Sequence, residues 1–151
     1  EFTAESWKNL VPKKAWYDAI DEAEDAIRND AEIHIQGYDV DDEVLKMARA
    51  NAKLAGVDEY IHFQQRDVAD FNTPKKYGFV ISNPPYGERL GDLAAAAELE
   101  RMLGRRLEEN PVRSAYIITA DADFEQHFGK KAKRRRKLYN GMIPCQVYMY
   151  F

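Results

Sequence analysis

The chain has 151 residues, of which 45% are apolar and 32% charged, so it is long enough for one globular domain with a buried core. No apolar run approaches the roughly 18 residues of a membrane helix, and the first residues do not resemble a secretion signal. The single cysteine, Cys145, excludes an internal disulfide, and His34, His62 and His127 lack the spacing of metal ligands, so no metal site is predicted. These features predict a cytoplasmic protein.

The net charge of −4 includes a concentrated basic segment, KKAKRRRK, at residues 130–137. Seven of its eight residues are positively charged, so the rest of the chain is strongly acidic. Such an asymmetry indicates a polyanionic partner. A solvated edge strand that its charges protect from aggregation fits the same pattern equally well.

Helices and strands alternate along residues 12–129, which is typical of a parallel α/β sheet. A first helix is predicted to open at Pro12, which suits a first helical turn. A second helix is capped by Asp41 or Asp42 and stopped by Gly56. The apolar residues expected to face the core are Trp16, Ile20, Ala23 and Ile27 in the first helix and Val44, Ala48, Ala52 and Ala55 in the second.

Four strands are predicted in the segments EIHIQGYDV, YIHFQQRDV, YGFVISN and SAYIITA. A long helix follows the third strand, and a short helix from Asp121 to Phe128 follows the fourth and ends at Gly129. The expected apolar face of the long helix consists of Ala96, Leu99, Leu103 and Leu107.

The C-terminal segment reads as a hairpin, because AKRRRKLY and MIPCQVYMYF flank the pair Asn140-Gly141, a strong turn signal. A closing antiparallel hairpin on a parallel sheet is characteristic of class I methyltransferases, which use S-adenosylmethionine. The predicted fold class is therefore α/β: a doubly wound, mostly parallel, Rossmann-like sheet with a C-terminal antiparallel hairpin. Residues 1–151 are expected to form a single domain.

Side chains that can bind a nucleoside follow three of the predicted strands: Asp39, Asp67 and Asn83. Ligands of open α/β sheets lie beyond the carboxyl ends of the strands, where Asp39 can accept hydrogen bonds from both ribose hydroxyls. Asp67 is placed to accept from an adenine amino group. With Val40, Val68 and Asn83 they form the predicted cofactor site. Taken singly, an aspartate after a strand is more often a helix cap or a turn former.

The segment NPPY, Asn83 to Tyr86, resembles the catalytic motif of amino-methylating class I methyltransferases. The longer NPPYGERLG resembles the ribosomal-RNA guanine-N2 methyltransferases that carry an N-terminal THUMP RNA-binding domain. In the same order along the chain, GYDVDDEVLKMARANAKLAGV resembles their cofactor-ribose segment, RDVADF their adenine segment and KLYNG their closing hairpin. The resemblance implies an S-adenosylmethionine-dependent enzyme that methylates the exocyclic amine of a guanine in 23S-type ribosomal RNA.

Asn83, Pro84, Pro85 and Tyr86 are the predicted catalytic residues. An exocyclic amine is a poor nucleophile because its lone pair is delocalised into the base. The side-chain oxygen of Asn83 and the carbonyl of Pro84 can fix its N–H bonds and stabilise the positive charge that develops on nitrogen. The prolines keep these acceptors rigid, and Tyr86 is expected to stack on the target base, which must leave its own stack.

Basic side chains are the predicted contacts to the rest of the RNA. Arg89 is expected to contact phosphate, stack on the base or pair with Glu88. Lys133, Arg135 and Lys137 share one face of the predicted hairpin strand and are expected to contact phosphates without sequence preference.

A glycine-rich loop after a first strand, which the resembled family has, is missing, since no glycine precedes Gly37. The family's first strand and THUMP domain would be missing too. The chain is therefore expected to be a C-terminal fragment that binds S-adenosylmethionine weakly and does not turn over. A sheet that lacks a central strand has two unpaired edges, which favour self-association.

Three other functions fit parts of the sequence. The motif NPPY also occurs in enzymes that methylate adenine-N6 in DNA or RNA, or a glutamine amide in protein. The basic hairpin fits a non-catalytic nucleic-acid-binding module. The strand pattern alone fits a doubly wound nucleotide-binding domain without transfer activity.

Overall fold

The computed structural model describes residues 2–28, 30–74, 77–85, 92–110 and 112–151. These residues fall into two compact units, which divide after Ile35. The helices are α1 (Lys13–Asp25), α2 (Asp42–Leu54), α3 (Asp92–Glu109) and α4 (Phe124–Phe128). The strands are β1 (Ile35–Asp39), β2 (Ile61–Gln65), β3 (Phe79–Ser82), β4 (Ser114–Thr119), β5 (Arg134–Asn140) and β6 (Ile143–Tyr150).

The first unit contains α1, which begins one residue after the predicted position because Pro12 is its N-cap. The ring of Trp16 lies 5.6 Å from the ring of Phe2, between centroids, and this contact anchors the N-terminal turn to the helix. Ile27 lies beyond the last residue of the helix, and Ile20 keeps 40% of its surface exposed. No residue of α1 is buried in the structure, although the spacing of its apolar residues is helical.

The second unit contains two β-sheets. One has two strands, in the order β1-β2, and the other has four, in the order β3-β4-β6-β5. Strands β3 and β4 are parallel, whereas β6 is antiparallel to both β4 and β5. This arrangement confirms the predicted α/β fold with a parallel core and a C-terminal antiparallel hairpin. The break between the sheets leaves β1 and β3 each at a sheet edge.

The main core lies between one face of the four-stranded sheet and helices α3 and α4. Gly104 of α3 is required there, because a Cβ atom at this position would lie 2.1 Å from the carbonyl oxygen of Phe128. The predicted apolar face of α3 is correct in Ala96 and Leu103, which are buried. The cluster consists of Leu103, Ala115, Ile117, Phe124, Phe128, Tyr148 and Tyr150.

Helix α2 has the predicted ends, and its buried face agrees with the prediction only in part. The Asp41 side chain caps it by accepting a 2.8 Å hydrogen bond from the backbone N–H of Glu43. The predicted apolar stripe is correct in Ala52, which is buried, and wrong in Val44, which is 39% exposed while its neighbour Leu45 is buried. Each residue turns a helix by about 100°, so Val44 and Leu45 point in different directions and the packing buries Leu45.

Two turns differ from the prediction by a few residues. Asn140 is still paired with Ile143, so Gly141 and Met142 form the hairpin turn. Gly141 has φ +60°, a left-handed conformation that glycine adopts without a steric penalty. Helix α4 begins at Phe124 rather than at Asp121, and Gly129 ends it as predicted, with φ +83°.

Among the helices that the structure describes, none has the length and apolar character needed to cross a membrane.

Candidate functional site

The first two strand ends of the predicted nucleoside site lie side by side. The backbone N–H of Arg66 donates to the carbonyl of Asp39 at 2.9 Å. Nearby, the side chain of Gln65 donates from Nε2 to the carbonyl of Val40 at 2.8 Å. These two bonds link the end of β1 to the end of β2, so Asp39 and Asp67 lie at the same end of the two-stranded sheet.

Both aspartates also have local structural partners. One carboxylate oxygen of Asp39 accepts from the N–H of Asp41 at 2.9 Å, and one of Asp67 accepts from the N–H of Ala69 at 2.7 Å. Asp67 thereby caps a short 3₁₀ turn that begins at Val68. A carboxylate accepts several hydrogen bonds, so these contacts orient the two side chains and leave them further capacity as acceptors.

The segment after β2 is attached to the other sheet. Val68 packs against the main core cluster, half-buried. Farther along, the Asn110 side chain at the end of α3 accepts from the N–H of Thr73 at 3.2 Å and donates to the carbonyl of Phe71 at 3.3 Å. The chain that carries Asp67 is therefore fixed to α3 and to the core of the four-stranded sheet.

Asn83 directly follows β3 and is exposed. The next residue, Pro84, is buried, and Pro85 is exposed. A buried proline anchors the backbone just after the asparagine and prevents the strand from continuing. Of the other predicted substrate residues, Tyr86 and Arg89 lie outside the described residues.

The second half of the basic segment, Arg134 to Lys137, lies in β5, the outer strand of the four-stranded sheet, and Lys133 directly precedes this strand. Every residue of β5 is exposed. Arg135 forms an ion pair with Glu125, and its guanidinium lies 5.4 Å from the centre of the Tyr148 ring. The amine of Lys133 lies 4.7 Å from the ring of Phe151, and that of Lys137 lies 5.4 Å from the ring of Tyr139. Of the three predicted phosphate contacts, Arg135 thus already has a carboxylate partner within the fold.

A cluster that the sequence analysis missed joins α3, β4 and α4. Nδ1 of His127 lies 2.7 Å from an oxygen of Asp121 and 3.1 Å from an oxygen of Glu100. Glu100 is only 1% exposed, and its burial raises its pKa to about 7. Burial alone would lower the pKa of His127, but its hydrogen bonds to the two carboxylates outweigh this effect and raise it.

The donor atoms of this cluster lie within 4.8 Å of one another, so one imidazole and two carboxylates have a spacing that a divalent cation can accept. Hydrogen bonds between the imidazole and the two carboxylates, without a metal ion, account for the same distances. The sequence carried one indication of the cluster, a glutamate on the side of α3 that faces the core. Its partners come together only through the packing of α3 against α4.

Comparison with known proteins identifies the family. Residues 3–149 match the model of the RMKL-like methyltransferase domain. A Bacillus subtilis (strain 168) protein named "Putative RNA methyltransferase YpsC" is 35% identical over 151 residues, all of this chain and 39% of that protein. The ribosomal RNA large subunit methyltransferase K/L of Pseudomonas fluorescens (strain Pf0-1) is 33% identical over 153 residues, covering 97% of this chain and 20% of that protein.

Solved structures agree with the family assignment. The structure of SMU.472, described as "a putative methyltransferase complexed with SAH", superimposes with a TM-score of 0.85 at 36% identity, over 100% of this chain and 40% of that one. A "predicted N6-adenine-specific DNA methylase" from Listeria monocytogenes str. 4b F2365 gives 0.81 at 42% identity, over 100% and 38%. The chain spans less than half the length of each of these proteins. It belongs to the family of RMKL-like methyltransferase domains.

Proposed function

We propose that this chain is part of an S-adenosylmethionine-dependent RNA methyltransferase that transfers a methyl group to the exocyclic amine of a guanine in large-subunit ribosomal RNA. The observation that carries the proposal is the position of Asn83, exposed directly after a parallel strand and followed by a buried proline. Similarity to proteins named as RNA and ribosomal RNA methyltransferases supports RNA as the substrate class.

The residues at the ends of β1 and β2 fit the adenosine part of the cofactor. Asp39 and Asp67 are two hydrogen-bond acceptors on adjacent strand ends, and each keeps capacity beyond its one local bond. Val40, beside Asp39, is 58% exposed and offers apolar surface to a base. In this proposal Asp39 accepts from the ribose hydroxyls and Asp67 from the adenine amino group. When bound, the cofactor supplies an electrophilic methyl group on a sulfonium.

Asn83 and Pro84 orient the acceptor amine. The Asn83 side-chain oxygen and the Pro84 carbonyl each accept one N–H of the amine, which directs its lone pair out of the base ring. The same acceptors stabilise the positive charge that forms on the nitrogen. The rigid backbone matters, because acceptors that relax away from the amine lose this stabilisation. Tyr86 is proposed to stack on the base.

We infer that the complete catalytic domain has another strand between β1 and β3. Parallel sheets are normally covered on both faces and paired along their length. Here β3 is an edge strand, and its side chains Phe79 and Ile81 are 63% and 83% exposed. A further strand and the helix that accompanies it would cover this surface. The 151-residue chain is therefore proposed to bind S-adenosylmethionine weakly and to associate through its unpaired edges.

The basic segment, residues 130–137, is proposed to contact RNA phosphates. Lys133 and Lys137 stand over exposed aromatic rings and have no carboxylate partner among the described residues. Such charges attract a polyanion without reading its sequence. Arg135 is a weaker candidate than the sequence indicated, because Glu125 neutralises it.

Methylation assays on the complete protein test this function. Unmodified large-subunit ribosomal RNA is incubated with labelled S-adenosylmethionine and digested, and the nucleosides are identified by mass spectrometry. We expect N2-methylguanosine, and we expect about 10²–10³-fold less of it from the Asn83→Ala variant. The similarity to a structure described as an N6-adenine-specific DNA methylase makes adenine the second candidate. If N6-methyladenosine is the only product, the assignment of guanine as the target base is wrong, and the methyltransferase function stands.

A further inference from the structure

A cleft of about 740 Å³ lies at the opposite end of the four-stranded sheet from Asn83. We propose that this far cleft binds the phosphodiester backbone of an RNA strand. The proposal rests on RNA as the ligand of the proposed enzyme and adds a second binding surface to it. The basic residues that line the far cleft are Arg101, Arg105, Arg113, Lys130, Lys131 and Lys133.

Strand register separates the far cleft from the proposed catalytic residues. β4 begins at Ser114, which lines the cleft and pairs with Phe79 at the start of β3. Asn83 follows the other end of β3. Because parallel strands rise about 3.3 Å per residue, the two places are roughly 10 Å or more apart along the sheet. A single RNA strand can span this distance with a few nucleotides.

The shape of the cleft depends on two glycines and on two hydrogen bonds to backbone oxygens. Gly104 lets α3 approach the end of α4, and Gly129, with φ +83°, turns the chain out of α4. Lys130 follows this turn, and its carbonyl accepts a 3.1 Å hydrogen bond from the hydroxyl of Tyr150. The N–H of Lys133 donates to the carbonyl of Met149 at 2.9 Å. The backbone that carries the lysines is therefore held in place by β6.

The lining has an excess of positive charge. Two carboxylates, Glu98 and Glu108, lie among the six basic side chains. Glu98 is already paired with both Arg101 and Arg105, at 3.1 Å each. The remaining four cations, Arg113, Lys130, Lys131 and Lys133, form no ion pair within the part of the chain that the structure describes. A concave surface with unneutralised cations concentrates positive potential and attracts polyanions, although the whole chain is acidic.

Two further features favour a nucleic acid over a simple anion. Phe151 is 50% exposed at the cleft, with the amine of Lys133 above its ring, and such a ring is a surface on which a base can stack. Ser114, at the floor, is 4% exposed, and its hydroxyl has no hydrogen-bond partner among the described residues. A buried hydroxyl without a partner is costly, which is consistent with a site shaped for polar contents.

A charge-reversal pair tests the proposal in the full protein. Lys130→Glu/Lys131→Glu changes the cleft, and Lys46→Glu/Lys53→Glu makes the same change in net charge on exposed residues of α2 that do not line it. Affinity for a fluorescein-labelled 12-nucleotide oligouridine RNA is measured by anisotropy as a function of salt. We expect the cleft variant to bind at least about tenfold more weakly and its salt slope to fall by about 1.4, the equivalent of two phosphate contacts on a single strand. The control should bind like the unmodified protein.

The other outcomes overturn the proposal. Equal losses in both variants would mean that only net charge matters, and an unchanged cleft variant would mean that RNA does not enter the cleft. A cleft variant that loses binding to phosphatidylserine vesicles and keeps RNA affinity would assign the surface to a membrane instead. S-adenosylhomocysteine affinity and circular dichroism report correct folding. Failure of the proposed transferase function is seen separately in the methylation assay, because the anisotropy measurement reports only RNA binding.

Discussion

Arg135 donates from Nε to one oxygen of Glu125 at 3.0 Å, and a second guanidinium nitrogen donates to the other oxygen of the same carboxylate. Glu125 also accepts a 2.7 Å hydrogen bond from the N–H of Ala132. Burial acts to raise the pKa of Glu125, but these bonds outweigh it and lower the pKa. One carboxylate therefore attaches the start of the hairpin to α4.

Replacing Arg135 should consequently lower stability more than it lowers RNA affinity. We expect Arg135→Ala to reduce the free energy of unfolding by about 1–3 kcal/mol, because it removes a bidentate pair and leaves a largely buried carboxylate without its partner. Arg136→Ala, on the opposite face of the same strand, should change stability by less than about 0.5 kcal/mol. Urea denaturation measures both. Equal effects of the two variants would show that the ion pair does not support the fold.

The cluster of Glu100, Asp121 and His127 predicts that the fold loses stability as the pH rises from about 4.5 to about 7. The folded-state pKa of Glu100 is about 7, above its ordinary value of 4.5, so the folded state holds a proton that the unfolded state releases. The loss across this range is up to about 3 kcal/mol at 1.36 kcal/mol per pH unit. His127, whose pKa is also raised, adds a further loss above pH 6.5. Asp121 has a lowered pKa and titrates below this range.

Glu100→Gln is the matched variant for this effect. Glutamine has the shape of the protonated glutamate and cannot ionise, so the decline between pH 4.5 and 7 should largely disappear. Thermal unfolding followed by circular dichroism at several pH values gives the comparison. A variant with the same pH dependence as the unmodified protein would show that another group is responsible.

Local sequence patterns predicted most of the helices and strands. The predictions that were wrong concern details that depend on tertiary packing. Alternating strands and helices were identified because apolar spacing and caps such as Asp41 act within a few residues. On the buried face of α2, Ala52 was predicted correctly and Val44 was not, since Val44 and Leu45 are both apolar and only the sheet selects between them. The hairpin turn was shifted by one residue because Asn140 continues the pairing with Ile143.

The positions of Asp39 and Asn83 at the ends of strands were predictable from the local pattern, whereas their roles in the site remain predictions. The position of Glu100 on the core-facing side of α3 was visible in the sequence, but its burial did not follow from that position, because a glutamate within a charged helix is normally solvated. Nor could the sequence show that Arg135 pairs with Glu125, since the residues between them include the turn that follows α4. Contacts of this kind depend on how two elements pack.

For the proposed cofactor site, Asp39→Asn should weaken S-adenosylhomocysteine binding at least about tenfold, as expected for loss of hydrogen bonds to a charged acceptor. Asparagine retains an oxygen that can accept from the N–H of Asp41, so the local fold should persist. Asp41→Asn is the control, since asparagine caps helices as well as aspartate does. Calorimetry on the complete protein measures all three affinities, and unchanged binding by the Asp39 variant would remove this residue from the site.

For the proposed catalytic site, Asn83→Ala should reduce methyl transfer by about 10²–10³-fold, the usual effect of removing one group that stabilises transition-state charge. The reduction should greatly exceed any change in S-adenosylhomocysteine affinity, because the amide acts mainly on the acceptor amine. Single-turnover assays separate transfer from binding. A variant that transfers at the normal rate would favour a binding module or a nucleotide-binding domain over an enzyme that uses this motif.

Gly104→Ala should be among the most damaging single substitutions in the second unit. The added Cβ would lie 2.1 Å from the backbone oxygen of Phe128, which cannot move without displacing α4 from α3. We expect a loss of more than about 3 kcal/mol in the free energy of unfolding. Gly56→Ala is the control, because its φ of +69° costs about 1 kcal/mol while its Cβ meets no atom within 4 Å.

The same close approach of α3 to α4 forms the far cleft, so a folded Gly104 variant should also bind RNA more weakly. Urea denaturation measures the effect on stability, and anisotropy measures the effect on RNA binding. Equal stability of the two variants would show that the helices separate easily, and that neither the core nor the cleft depends on their close approach.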